Sequence, residues 1–114
     1  MATEVFKILG QVAPGTTNTA LYTVPSGKSA VISTIAVCNQ TAGDVTFRIA
    51  TQKSADASTS TILAKQYIAY GSTVAANDTT FVTIGATLAA GDQIIVYGSS
   101  SSLSFNAYGS EVTP

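Results

Sequence analysis

The chain has 114 residues with five Lys or Arg, six Asp or Glu, no His, no Trp and a single Cys. That length suits one domain, which can bury roughly 65% of its unfolded surface without disulfide or metal staples. Charged residues make up only 10% of the chain, against about 25% in ordinary soluble domains. Hydroxyl and amide side chains must therefore supply the polar surface, and the composition favours a rigid, uncharged domain.

The same composition excludes several classes of function. Without His there is no Ser-His-Asp or Cys-His nucleophile pair and no imidazole metal ligand. One Cys supplies neither a disulfide framework nor a thiolate metal site. Five scattered basic residues cannot follow a phosphate backbone, and no apolar run approaches the ~20 residues of a membrane helix. We therefore expect no enzyme, no cofactor or metal, and neither nucleic acid nor membrane as a partner.

The first half of the chain predicts strands separated by turns at short spacing. The first strand is Glu4 to Leu9, and after a loop the next is Ala20 to Val24. Pro25-Ser26-Gly27-Lys28 predicts a tight hairpin to Ser29–Cys38, because Pro presets φ and Gly accepts a positive φ. A further strand contains Val45, Phe47 and Ile49, whose period of two should turn Arg48 away from the buried face.

The second half continues in the same way. Lys53 to Thr61 is a polar loop of small residues, and Thr61 to Tyr70 is assigned to a strand that ends at Gly71. A helical turn at Ala64-Lys65-Gln66 is the alternative within that segment. The remaining strands are Thr79 to Gly85, Gln93 to Tyr97 and Leu103 to Val112.

About eight strands and no amphipathic helix predict an all-β chain. Val31 to Val37 and Ile94 to Tyr97 are apolar on both faces, which is typical of central strands or of strands buried at a subunit contact. We expect a single antiparallel β-sandwich over residues 1–114, with either jelly-roll or immunoglobulin-like connectivity. Residues 1–3 are expected to form a flexible N-terminal arm.

Few side chains are candidates for chemistry. Three acidic residues adjoin Gly or Asn at strand ends, where Asp commonly bonds its own turn backbone: Asp44, Asp78 and Asp92. Cys38 lies in phase with Ile32 and Thr34 and is interpreted as a buried free thiol. Tyr22, Tyr70 and Tyr97 are assigned to core or interface packing, whereas Tyr67 is expected to be exposed.

Four segments carry a resemblance to known proteins. They are Leu21-Tyr22-Thr23-Val24-Pro25-Ser26-Gly27-Lys28, Val31-Ile32-Ser33-Thr34-Ile35-Ala36-Val37-Cys38-Asn39, Leu88-Ala89-Ala90-Gly91-Asp92-Gln93-Ile94-Ile95-Val96-Tyr97 and Leu103-Ser104-Phe105-Asn106-Ala107-Tyr108-Gly109-Ser110-Glu111-Val112. Across nearly its whole length the chain resembles a group of small virion structural proteins of tailed bacteriophages, including cyanophages. Members of that group are regarded as head decoration (cement) proteins or as tail-fibre-associated proteins.

The resemblance implies a non-enzymatic capsid decoration protein that binds the major capsid protein on the outer surface of the phage head. A homodimer or homotrimer would match the symmetry of a capsid. Because Met1 to Lys7 lacks the layout of a signal peptide, synthesis in the host cytoplasm is expected. That stretch and the loop Lys53–Thr61 are the expected contact elements.

The alternative function is a tail-fibre or baseplate module that binds a glycan of the host surface. This function would require exposed Tyr and amide groups in one groove, and Gln66, Tyr67 and Asn77 are the candidates.

Overall fold

The computed structural model describes residues 3–114. This range holds eight β-strands and two short 3-10 turns. The strands are β1 (Thr3–Val12), β2 (Thr19–Thr23), β3 (Ser29–Asn39), β4 (Val45–Gln52), β5 (Tyr67–Val74), β6 (Thr79–Leu88), β7 (Gln93–Gly98) and β8 (Leu103–Thr113). The 3-10 turns, Ser54–Asp56 and Ala64–Gln66, lie between β4 and β5. The prediction of an all-β chain with about eight strands is confirmed.

The strands form two four-stranded antiparallel sheets. The first sheet has the order β1-β8-β3-β6 and the second has the order β2-β7-β4-β5. Strand β1 pairs with β8, β2 with β7, β3 with β6 and β4 with β5. This nested pairing is that of a long hairpin rolled into two sheets, which is the jelly-roll arrangement. The connectivity that the sequence left open is therefore the jelly roll.

The predicted hairpin at Pro25–Lys28 is wrong, although its turn is present. Lys28 N–H donates to the Pro25 carbonyl at 3.2 Å, and Gly27 has φ of 77°. However, β2 belongs to the second sheet and β3 to the first, so the turn is a corner between sheets. Turn residues specify a reversal of the chain, but they do not specify which strands then pair.

The strand predicted at Thr61–Tyr70 is wrong over its first six residues. The alternative at Ala64–Gln66 is what forms, as a single 3-10 turn, and β5 begins at Tyr67. Gly71 does not end the strand, because its φ of 69° is accommodated within β5 beside a register shift against β4.

The prediction of a flexible arm over residues 1–3 is wrong for Thr3, because Thr3 is the first residue of β1 and pairs with Thr113 of β8. Met1 and Ala2 lie outside the described residues. Because β1 pairs with β8 alone, it forms one edge of the first sheet.

The core lies between the two sheets. Phe47 of β4 and Phe105 of β8 meet edge-on there, with ring centroids 6.1 Å apart. The expectation that β3 and β7 are central strands is confirmed, since each lies between two partners. Their fully buried side chains include Ile32, Ile35 and Ile94. Each such side chain contributes about 1.5–3 kcal/mol by leaving water.

Candidate functional site

The outward face of the first sheet carries exposed apolar side chains and no charge over most of its area. We call this surface the uncharged face. Its outward residues, assigned from the strand register and alternation, are Phe6, Ile8, Gln11, Val31, Thr34, Ala36, Cys38, Thr79, Phe81, Thr83, Thr87, Ser104, Asn106, Tyr108 and Ser110. Glu4 lies at the margin, where its carboxylate accepts a 3.0 Å bond from Ser110 Oγ.

The two most exposed apolar side chains of the uncharged face lie on the two edge strands of the first sheet, β1 and β6. Phe6 on β1 is 78% exposed and Phe81 on β6 is 67% exposed, while Ile8 and Tyr108 stand opposite each other between them. Large apolar side chains exposed on one face in this way are typical of sites where another molecule binds. Aromatic residues are also enriched at interfaces, where charged residues are depleted.

The predicted N-terminal contact element is divided between two surfaces. Phe6 and Ile8 belong to the uncharged face. Lys7 points to the other side of β1, where its Nζ forms a 2.7 Å ion pair with Glu111. Alternation along the strand thus separates the apolar contacts from the charge.

The thiol of Cys38 is half-buried, so the assignment of a buried thiol is wrong. A register shift between Ile32 and Thr34 changes the phase of β3. Beyond the shift Ile35 and Val37 point into the core, which places Cys38 on the uncharged face.

The loop Lys53–Thr61 is held against the second sheet by a row of side-chain amides. Gln52 Nε2 donates to the carbonyls of Ser58 and Thr61 and to Gln66 Oε1, at 2.9–3.3 Å. Its Oε1 accepts from Ser58 N–H and from Gln93 Nε2. This amide row was not foreseen, since the residues that form it are far apart in the sequence.

The structure does not bring the predicted glycan-binding residues together. Gln66 is only 6% exposed, because it belongs to the amide row. Tyr67 is half-buried. Asn77 lies beyond the far end of β5, roughly 20 Å along the strand from Tyr67. The groove of Gln66, Tyr67 and Asn77 therefore does not form.

The tyrosines divide differently from the prediction. Tyr22 is buried as expected, but Tyr70 is 63% exposed, and Tyr97 and Tyr67 are half-buried. Two register shifts between β4 and β5 place Tyr67 and Tyr70 opposite outward residues of β4. The assignment of Tyr70 to the core is therefore wrong, because the simple alternation on which it rested is broken.

Arg48 points away from the core, as predicted, and its guanidinium lies between two of these rings. Its Cζ is 4.4 Å from the ring centroid of Tyr70 and 4.5 Å from that of Tyr97. Tyr67 meets Tyr70 edge-on, with centroids 4.9 Å apart. We call Arg48, Tyr67, Tyr70 and Tyr97 the Arg–Tyr cluster. A cavity of about 490 Å³ adjoins it, lined by Ile62, Ala64, Tyr67 and Tyr70.

Asp44, Asp78 and Asp92, the three aspartates that the sequence placed at strand ends, accept hydrogen bonds from backbone N–H groups of turns. Asp78 accepts a bond from Thr79 N–H, and Asp92 accepts bonds from Ala89 N–H and from Ser54 N–H. The prediction that each Asp bonds its own turn fails for Asp44, which accepts Ala76 N–H of a neighbouring turn. Within residues 3–114 no group of three or more His, Cys, Asp and Glu side chains could hold a metal ion.

Glu111 pairs with two lysines at one end of the sandwich. It is 5% exposed and accepts bonds from the Tyr22 hydroxyl at 2.6 Å and from Lys7 Nζ at 2.7 Å. These two bonds and the charges of Lys7 and Lys28 outweigh burial and lower the pKa of Glu111. Burial, followed by the bond to Glu111, raises the pKa of Tyr22 well above its ordinary value. This cluster ties the sheets together and contains no reactive group.

Comparisons with known proteins bear on the fold. No protein-family model and no curated protein sequence matches the chain. The fold is similar to part of a chain in the crystal structure of the T13 infectious bursal disease virus particle, with a TM-score of 0.53 and 10% identity. A chain of the Gx strain of the same virus is similar with a TM-score of 0.54 and 11% identity.

These two likenesses cover 98% of this chain but only 30% and 31% of the viral chains. The protein thus shares the sandwich of those viral-particle chains and spans under a third of their length. Among residues 3–114, no helix is long and apolar enough to cross a membrane.

Proposed function

We propose that the protein is a non-enzymatic structural component of a virion that binds the outer surface of a capsid shell as a decoration protein. The observation that carries this proposal is the uncharged face, with Phe6 and Phe81 exposed at its two sides. The resemblance to small phage virion proteins supports the same function. The shared fold with chains of a virus particle is consistent with it.

The chemistry of the uncharged face suits adhesion to a shell. Apart from Glu4 at its margin, the uncharged face has no formal charge among its outward residues, so most of it can be covered without burying an unpaired ion. Contacts of this kind are little affected by salt, because few ion pairs are present to be screened. A decoration protein requires this type of binding and requires no catalytic residue.

The proposed partner is the major capsid protein, with self-association as a homodimer or homotrimer. Capsids present two-fold and three-fold axes, so an oligomer of matching symmetry would engage several subunits at once. Linked contacts of this kind raise the overall affinity well above that of a single contact.

The test is the binding of purified protein to particles that lack it. Phe6→Ser and Phe81→Ser should each reduce occupancy, and the double variant should abolish it. Tyr70→Ser is the matched control, because it removes an exposed aromatic side chain from the opposite sheet. Equal occupancy by the wild type and the folded double variant would refute binding through the uncharged face.

Gold-labelled antibody on intact particles tests the location. Regular label over the head supports decoration, whereas label at the tail favours the alternative of a tail-fibre or baseplate module that binds host glycan. Unlabelled particles would refute both. The observation that favours the alternative is the exposed Arg–Tyr cluster with its adjoining cavity.

A further inference from the structure

We propose that the Arg–Tyr cluster and the adjoining cavity form a binding site for an acidic oligosaccharide, with the cavity holding one sugar ring and Arg48 binding the carboxylate of a neighbouring unit. The site lies on the outward face of the second sheet, opposite the uncharged face. Its existence does not depend on the head or tail location of the protein.

The first argument is the state of the Arg48 guanidinium. Within residues 3–114 the Arg48 side chain donates no hydrogen bond. It also has no ion-pair partner there, since the ion pairs among these residues are Lys7–Glu111 and Lys28–Glu111. A guanidinium carries five N–H donors in a plane and stays charged at all physiological pH values. Arg48 is therefore a charged donor group without an acceptor in the described structure.

The second argument is that this guanidinium is already positioned. Tyr70 and Tyr97 lie on the strands that flank β4, and each ring contacts the guanidinium, at 4.4 and 4.5 Å from Cζ. Stacking on rings occupies the faces of the guanidinium and leaves its N–H edges for a planar anion. Because the side chain is held before a ligand arrives, little conformational entropy is lost on binding.

The third argument is the cavity beside the guanidinium. Tyr70 contacts Arg48 and also lines the cavity, whereas Arg48 itself does not line it, so the Tyr70 ring separates the guanidinium from a ligand in the cavity. The cavity volume of about 490 Å³ suffices for a sugar ring. Its lining consists of two tyrosines and two aliphatic residues, which suit the C–H face of a sugar.

The charge of the site selects a carboxylate. A single guanidinium pairs bidentately with a carboxylate and neutralises its one negative charge. A phosphate monoester carries more charge and would require a second cation, but Arg48 is the one cation in the Arg–Tyr cluster and no cation lines the cavity. An oligomer of hexuronic acid meets both requirements, because one ring can occupy the cavity while the carboxylate of a neighbouring unit reaches Arg48.

The test is a titration of the full-length chain followed by NMR at low salt. The probes are an oligogalacturonate, a neutral maltooligosaccharide of the same length and an oligoglutamate peptide. We expect the oligogalacturonate to shift signals of Arg48 and Tyr70 and to bind at least tenfold more tightly than the neutral sugar. Equal binding of the two sugars, or no binding of the oligogalacturonate, would overturn the proposal.

Three variants separate this site from nonspecific charge effects. Arg48→Lys keeps the charge but loses the bidentate fork, so it should weaken oligogalacturonate binding at least fivefold, and Tyr70→Ser should weaken it similarly. Lys53→Gln removes a positive charge outside this cavity and should bind like the wild type. Wild-type affinity in Arg48→Lys would refute the role of Arg48. Tighter, Arg48-dependent binding of oligoglutamate would assign the cluster to an acidic protein partner and refute the sugar.

Discussion

The Tyr22 hydroxyl donates a 2.6 Å hydrogen bond to Glu111 Oε2 and so connects β2 of the second sheet with β8 of the first. The same carboxylate pairs with Lys7 of β1 at 2.7 Å and with Lys28, next to the β2–β3 corner, at 3.8 Å. One carboxylate therefore joins three strands and a corner at one end of the sandwich. Among the polar side chains at that end, we expect substitution of Glu111 to lower the free energy of unfolding most.

Replacing Glu111 by Gln should lower the free energy of unfolding at neutral pH by about 1–2 kcal/mol. Gln still offers Tyr22 an acceptor, but it loses both ion pairs. The loss is limited because Lys7 and Lys28 are partly exposed to water. Urea denaturation measures the change. Asp56→Asn, on the exposed 3-10 turn, is the control and should have little effect; equal losses in the two variants would contradict the role of Glu111.

The free energy of unfolding should decrease both at low pH and at high pH. Glu111 causes the decrease at low pH and Tyr22 causes the decrease at high pH. The folded protein lowers the pKa of Glu111, so its contribution is present above the ordinary value of 4.5 and is lost as pH falls through the folded value. The folded protein raises the pKa of Tyr22, so stability falls as pH rises past the ordinary 10.0, where the unfolded chain releases the proton first.

Urea midpoints measured from pH 2 to pH 11 test this dependence. Glu111→Gln should flatten the acid limb, and Tyr22→Phe should flatten the alkaline limb. An acid limb in Glu111→Gln as steep as that of the wild type would show that other carboxylates control acid unfolding.

Gly109→Ala should destabilise the protein by at least about 2 kcal/mol. A Cβ at Gly109 would collide with the Val31 carbonyl of the neighbouring strand β3, which is backbone and cannot move independently. Gly10→Ala should behave alike, because its Cβ would meet the Leu21 carbonyl. Gly43→Ala is the matched control, with open space around the added Cβ and no positive φ. Thermal denaturation of the three variants measures the difference, and equal melting temperatures would refute the close approach.

Gln52→Ala should lower the free energy of unfolding by about 2–3 kcal/mol and make the loop Lys53–Thr61 more susceptible to proteolysis. The substitution removes the bonds that Gln52 makes to buried partners, including Gln93 and Gln66. Gln11→Ala is the control, since Gln11 is exposed and makes a single side-chain bond to Asn106. Limited proteolysis together with urea denaturation measures both effects. Unchanged cleavage within the loop would show that the amide row does not hold it.

The sequence predicted those features that depend on neighbouring residues. Alternation around Phe47 correctly turned Arg48 outward, and continuous apolar runs indicated that β3 and β7 are central strands or subunit contacts, of which the structure shows the central position. It failed where the backbone departs from strict alternation. A register shift between Ile32 and Thr34 reverses the direction of Cys38, and one next to Tyr70 reverses that of Tyr70, although simple counting assigns both side chains to the core.

The candidate sites were predictable only in part. Phe6 lay within the predicted N-terminal contact element, and its exposure follows from the position of β1 at a sheet edge. Nothing in the local sequence placed Tyr97 beside Arg48, because these residues belong to strands that pair only in the folded chain. The groove predicted from Gln66, Tyr67 and Asn77 failed for other reasons, because the amide row buries Gln66 and the length of β5 separates Asn77 from Tyr67.

The sequence by itself determined that this chain is an all-β sandwich of about eight strands, with little charge and no His. Composition and local alternation are sufficient for those conclusions, since both act within a few residues. Only the tertiary structure decided the jelly-roll connectivity, the uncharged face and the Arg–Tyr cluster. Each of these depends on which strands pair, and pairing is set by the burial of side chains far apart in the sequence.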